Sequence, residues 1–187
     1  MGFSMSWLAI RGKTKSAIHD ELGLVSTNEY EEIPEYPICG AALPSDWYLV
    51  VYNDEFFDDD RKLARLSHDS EIVRTFIEEH CMTSSTELWL NGKTTWSIIH
   101  EASEGIEHLE VSGTPPADFS DIRDSLFAKQ NQHSEKDSWD VDYIFNVPVD
   151  MARSITGFCH DECLPELEGV RFECLQRKKQ KKRWWPF

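Results

Sequence analysis

The sequence predicts an α+β protein, mainly an antiparallel sheet with short helices packed on it. Three observations point there. Glu87–Leu90 and Thr94–Glu101 flank Asn91-Gly92, a pair suited to a type I′ hairpin turn because both central residues need positive φ. A second turn closed by Gly105 leads into Ile106–Val111, so a three-stranded meander over about residues 86–111 stands at the centre of the expected sheet. Strands clustered in the middle of the chain, with helices at intervals, suit helices covering one face of such a sheet. In the register set by that turn, Trp89 and Trp96 share one face diagonally and His100 stands opposite His108. Leu88, Leu90, Ile99, Leu109 and Val111 then form the face turned to the core.

The remaining elements follow in order. Phe3–Ile10 alternates as a strand does, and a helix after Thr14 runs to Leu22, with Gly23 as its stop. Gly12-Lys13-Thr14 lacks the upstream glycine of a phosphate loop, since Trp7 stands there, and reads as a simple strand-to-helix turn. The first six residues fit the loose myristoylation pattern, but their alternation assigns them to the strand. Residues 25–43 are acidic and interrupted by Pro34 and Pro37, which predicts a surface loop. The apolar run over residues 46–53 predicts a buried central strand. Asp58-Asp59-Asp60 then opens a short helix with Leu63 and Leu66, where acids complement the helix dipole.

Glu71–Glu79 alternates as a strand, and Thr114-Pro115-Pro116 precedes a helix with an apolar stripe of Phe119, Ile122, Leu126 and Phe127. Residues 131–137 read as a polar loop, and Trp139, Val141, Tyr143 and Phe145 alternate as a further strand. Pro148 and Asp150 open a helix that Gly157 ends, and Val170, Phe172 and Cys174 form a last strand. One domain is expected over residues 1–176, followed by a basic, Trp-rich tail at 177–187.

The chain has 187 residues, 40% of them hydrophobic, enough to fold around a real core. Its net charge of −15 hides a split: six of its 19 bases lie in Arg177–Arg183, and between Lys15 and Arg61 stand twelve acids and no Lys or Arg. So acidic a body repels phosphate backbones, which argues against nucleic-acid binding by the folded part. Five irregularly spaced cysteines fit a reduced compartment, and neither a leader pattern nor an apolar run long enough to cross a bilayer is present. A cytoplasmic protein is the expectation.

Chemistry is weakly signalled. Cys159, His160 and Cys163 are dense in metal-capable side chains, with Cys174 beyond, but no second closely spaced pair follows. His100, His108 and Glu110 would suit a metal-dependent hydrolase if they meet on one sheet face. No Gly-x-Ser-x-Gly elbow or dinucleotide-binding glycine run is present. No cofactor is expected. The tail bases Arg177, Lys178, Lys179, Lys181, Lys182 and Arg183, followed by Trp184 and Trp185, suit contact with an anionic membrane or with RNA.

The function these features favour is a non-enzymatic binding protein. Its acidic surface, with Glu29, Glu31, Glu32, Glu35, Asp58, Asp59 and Asp60, would meet a basic protein partner. In size, acidity and class the chain is similar in general character to bacterial immunity proteins that neutralise a cognate toxin. That resemblance implies a toxin as partner and no particular residues. A hydrolase on His100 and His108, and a membrane-peripheral protein held by its tail, are the alternatives.

Overall fold

The computed structural model describes residues 2–134, 141–162 and 165–179, and among these residues there are nine strands and four α-helices. The first half comprises β1 (Ser4–Arg11), α1 (Lys15–Leu22), β2 (Leu24–Glu31), β3 (Ile38–Ala42), β4 (Tyr48–Asn53), α2 (Asp60–Leu66) and β5 (Glu71–Glu78). The second comprises β6 (Thr83–Leu90), β7 (Lys93–Glu101), β8 (Glu110–Gly113), α3 (Asp118–Ser134), α4 (Asn146–Thr156) and β9 (Phe172–Arg177). All strands join one antiparallel sheet in the order β2-β9-β3-β4-β1-β5-β6-β7-β8. The α+β class with a dominant antiparallel sheet is therefore as the sequence predicts. The three strands β6, β7 and β8 lie at one side of that sheet, while β4, β1 and β5 occupy its middle.

Helices cover both faces rather than one. On the first face Leu8, Ile10, Val50, Tyr52 and Ile72 pack against Ile18 and Leu22 of α1 and Leu63 and Leu66 of α2. On the second, Trp7, Ala9, Leu49, Val51 and Val73 meet Phe145, Val149 and Ala152. Two-sided burial explains why residues 48–52 are apolar without alternation: each is wanted by one core or the other. Thr14 caps α1 through its hydroxyl, and Gly23 and Gly157 end α1 and α4 in the left-handed conformation.

The hairpin turn holds Asn91 at φ 51° and Gly92 at φ 77°, the signs a type I′ turn demands. The register does not continue as the turn implies. Trp89 pairs with Thr94 but Leu88 pairs with Trp96, so Thr95 is an extra residue in β7, and its hydroxyl donates to the Leu88 carbonyl at 3.1 Å. This bulge reverses the two faces beyond it. Trp89 joins the core under α2, whereas Trp96 joins Ile98, Phe119, Leu126 and Ile144 on the opposite face. The expected shared face for the two tryptophans is thus corrected. Leu88, Trp96, Ile98 and His100 line the second core, and Val111 is exposed.

Two further expectations fail. Residues 25–43 are not a loop: they hold β2 and β3, because Val25, Thr27 and Tyr30 satisfy an edge strand despite the acids around them. Residues 141–145 are not a strand but a turn into α4, which begins at Asn146, and α3 continues to Ser134. Trp139 lies outside the described residues.

Candidate functional site

The acidic residues fall into separate places. Glu29 and Tyr30 sit on β2, whose outer side has no strand partner among the described residues. Glu32, Ile33 and Glu35 follow in the connection to β3. Glu29, Glu32 and Glu35 are exposed, and among them Tyr30 keeps 47% and Ile33 59% of its surface in solvent. Glu32 and Ile33 also border a groove of about 700 Å³ with Leu167, Val170 and Arg171. Glu31 has a different task. Its Oε2 accepts the Tyr36 N–H at 2.9 Å and the Glu35 N–H at 3.0 Å, folding the connection back on itself.

The three aspartates lie elsewhere. Asp59 caps α2 by accepting the Lys62 N–H at 2.9 Å, and that bond holds its carboxyl below the usual range. Asp60 pairs with Arg74 of β5 at 2.7 Å, and Asp58 is exposed. Five strand steps separate β5 from β2, roughly 24 Å at the usual spacing, so these aspartates and the β2 acids form two patches.

Strand registers create a third accumulation. The end of the sheet where β1 and β6 begin and β4, β5 and β7 finish collects Asp54, Glu55, Glu78, Glu79 and Glu101, with Glu104 and Glu107 in the following turn. No sequence run foreshadows it, because its members come from three chain segments.

His100 is fully buried, on the second core face. Its Nδ1 lies 2.7 Å from the His108 carbonyl oxygen and its Nε2 lies 2.9 Å from Asp142 Oδ2. A backbone carbonyl and a carboxylate both accept, so the site favours the doubly protonated ring. Burial opposes that charge, but the bonds to Asp142 and to the His108 carbonyl outweigh it and raise the pKa above its ordinary value. His108 does not face His100 across the ladder. It lies in the turn before β8, where its Nδ1 accepts the Glu101 N–H at 3.0 Å. The pair therefore ties a turn to the sheet and leaves His100 no free lone pair for a metal.

Cys159, His160 and Asp161 follow the end of α4 and converge, with one donor atom from each within 4.8 Å of the others. The Cys159 thiol donates to Asp161 Oδ1 at 3.0 Å; burial, then that carboxylate, push it up to about 12. Cys163 lies outside the described residues, and Cys174 sits in β9, opposite Cys39 of β3.

The comparisons with known proteins give no relative: no family model, curated protein or solved structure matches the chain.

Asp142 is the partner that sequence reasoning missed. Its Oδ1 accepts the Ile144 and Phe145 N–H groups at 3.0 and 3.1 Å, and an acid two residues ahead of a helical turn was the available signal. Glu79, beside His160, carried none. Of the basic tail, Arg177 is the last residue of β9 and bonds Glu55, and Lys178 reaches Asp20 at 2.6 Å. Lys179 is exposed; Lys181, Lys182, Arg183 and the tail tryptophans lie outside the described residues. Among the described residues no helix is long and apolar enough to cross a membrane.

Proposed function

We propose that the protein is a non-enzymatic binding protein whose acidic β2 edge docks a basic protein partner, in the manner of an immunity protein meeting its toxin. The observation that carries this reading is the arrangement at that edge. Two large side chains, Tyr30 and Ile33, stand exposed among Glu29, Glu32 and Glu35, on β2, which has an unpaired edge among the described residues, and on the connection that follows it. Carboxylates around apolar anchors divide the work of binding. The charges speed encounter with a cationic surface, and the anchors, once desolvated, set how long the complex lasts. Asp58 and its neighbours act in this reading as a second, weaker attraction, since Asp59 and Asp60 are already engaged.

The test separates charge from packing. The partner is recovered from source cells on the immobilised protein and purified, and its association is followed at low and moderate salt. Glu29→Gln, Glu32→Gln and Glu35→Gln together should slow association and flatten its salt dependence while leaving dissociation unchanged. Glu31 stays untouched because it holds the connection together. Tyr30→Ala with Ile33→Ser should do the reverse, speeding dissociation. A partner whose association is indifferent both to salt and to the triple change overturns the proposal.

A further inference from the structure

Among the described residues, three of the buried side-chain nitrogens without a hydrogen-bond partner lie in one place: both ring nitrogens of His160 and Nε1 of Trp7. The His160 side chain is 2% exposed, stacks on Trp7 with centroids 5.9 Å apart and meets Phe3 edge-on at 5.3 Å. Leaving a buried polar group without a partner is costly, so a native site with an unpartnered imidazole calls for a ligand.

The surroundings suit a cation. Cys159 Sγ lies 3.0 Å from Asp161 Oδ1, and His160 Nδ1 lies 3.8 Å from the same oxygen. Donors on a tetrahedral ion with bonds of about 2.0–2.3 Å stand roughly 3.3–3.7 Å apart, so the two pairs that share Asp161 Oδ1 need shifts of only a few tenths of an ångström, and one donor atom from each of the three residues lies within 4.8 Å of the others. On the far side of the ring, Nε2 faces Glu79 Oε1 at 3.6 Å. The other oxygen of Glu79 is fixed by the Phe3 N–H at 2.8 Å. A carboxylate behind a histidine ligand orients the ring and makes it a stronger donor. The trio also follows the C-terminus of α4, the end of a helix that favours positive charge.

We propose that Cys159, His160 and Asp161 bind a zinc-class divalent cation, with His160 Nδ1 as the ligand nitrogen and Glu79 positioning the ring. A sulfur, nitrogen and oxygen donor set selects that class over magnesium or calcium. Three protein donors leave a fourth position for water or an anionic group. Spacing in the sequence argues against such a site, because one run of donors has no second closely spaced pair. The fold supplies instead a carboxylate from the end of β5. This site stands independently of the acidic-edge reading.

The experiment uses the full chain, stripped with a chelator and titrated with Co²⁺. One equivalent should bind with a thiolate-to-cobalt charge-transfer band in the near ultraviolet, and Zn²⁺ should displace it. Cys159→Ser should abolish the band and His160→Gln the stoichiometric binding, while Cys81→Ser, at an exposed thiol elsewhere, changes neither. Glu79→Gln should weaken zinc affinity about 10–100-fold. Should either ligand variant fail to fold, Asp161→Asn, at a side chain 52% exposed, keeps the fold by circular dichroism and still weakens binding. Absence of stoichiometric Co²⁺ binding by the unaltered protein overturns the proposal. So does binding that survives both His160→Gln and Asp161→Asn unchanged.

Discussion

A single buried side chain, His100, joins three parts of the molecule: the end of β7, the turn carrying His108, and the turn at Asp142 that leads into α4. Its folded pKa is raised above the unfolded value of about 6.5. The sign follows: the stabilisation is complete below that unfolded value and is lost as pH rises through the folded one. His19 works in the opposite sense. Burial lowers its pKa, so its contribution is present above the unfolded value of about 6.5 and lost as pH falls from there through the lower folded one. Urea unfolding measured on both sides of neutrality should therefore lose stability on the alkaline side in the unaltered protein. In Asp142→Asn that loss should shrink, and stability at pH 6 should fall by roughly 3–5 kcal/mol, the cost of leaving one buried charge unpaired. A slope identical in the two proteins would assign the alkaline loss to another group. The sequence showed His100 and His108 as a pair but hid Asp142, because only the folded chain brings residue 142 beside the end of β7.

Elements with one dominant signal were legible in the sequence, and those with conflicting signals were not. β1, α1, β4, α2, β5 and the apolar stripe of α3 follow from periodicity and caps, and they stand where that periodicity put them. β2 and β3 were hidden by prolines and acids, whose preference for loops is overridden here by pairing with β9. The bulge at Thr95 was invisible because no residue type demands one, yet it decides which tryptophan enters which core. β3 carries a testable demand of its own. A Cβ on Gly40 would stand 2.4 Å from Tyr48 Oη and 2.9 Å from Leu175 Cδ1. Tyr48 Oη is the partner of His19 Nε2 at 2.7 Å, so Gly40→Ala must move a ring that is buried and hydrogen-bonded. A loss of about 1–3 kcal/mol in the denaturant midpoint is expected, the usual penalty of overpacking. An unchanged midpoint would mean that β3 yields more freely than its burial indicates.

At the scale of the whole molecule, charge and topology are set by the same registers. Antiparallel pairing places the acids at and just beyond the ends of β4, β5 and β7 at one end of the sheet, while Arg11 and Lys93 stand at the other. Composition announced an acidic protein; only the strand order says where the acid is. That order has one further property. β9, the last strand among the described residues, lies between β2 and β3, which are among the first. Among the described residues β2 has no other strand partner, and β3 has only β4 besides. During synthesis, therefore, an edge made early must wait for a strand made much later, with the elements from α2 to α4 emerging in between. Closing so long a loop is slow, and until it closes the unpaired strands are open to neighbouring chains. Pulse-labelled hydrogen exchange during refolding should show amides of β1, β4 and β5 protected before those of β2. Translation stalled before Phe172 should leave nascent chains whose β2 segment is cut readily by protease, and release should seal it.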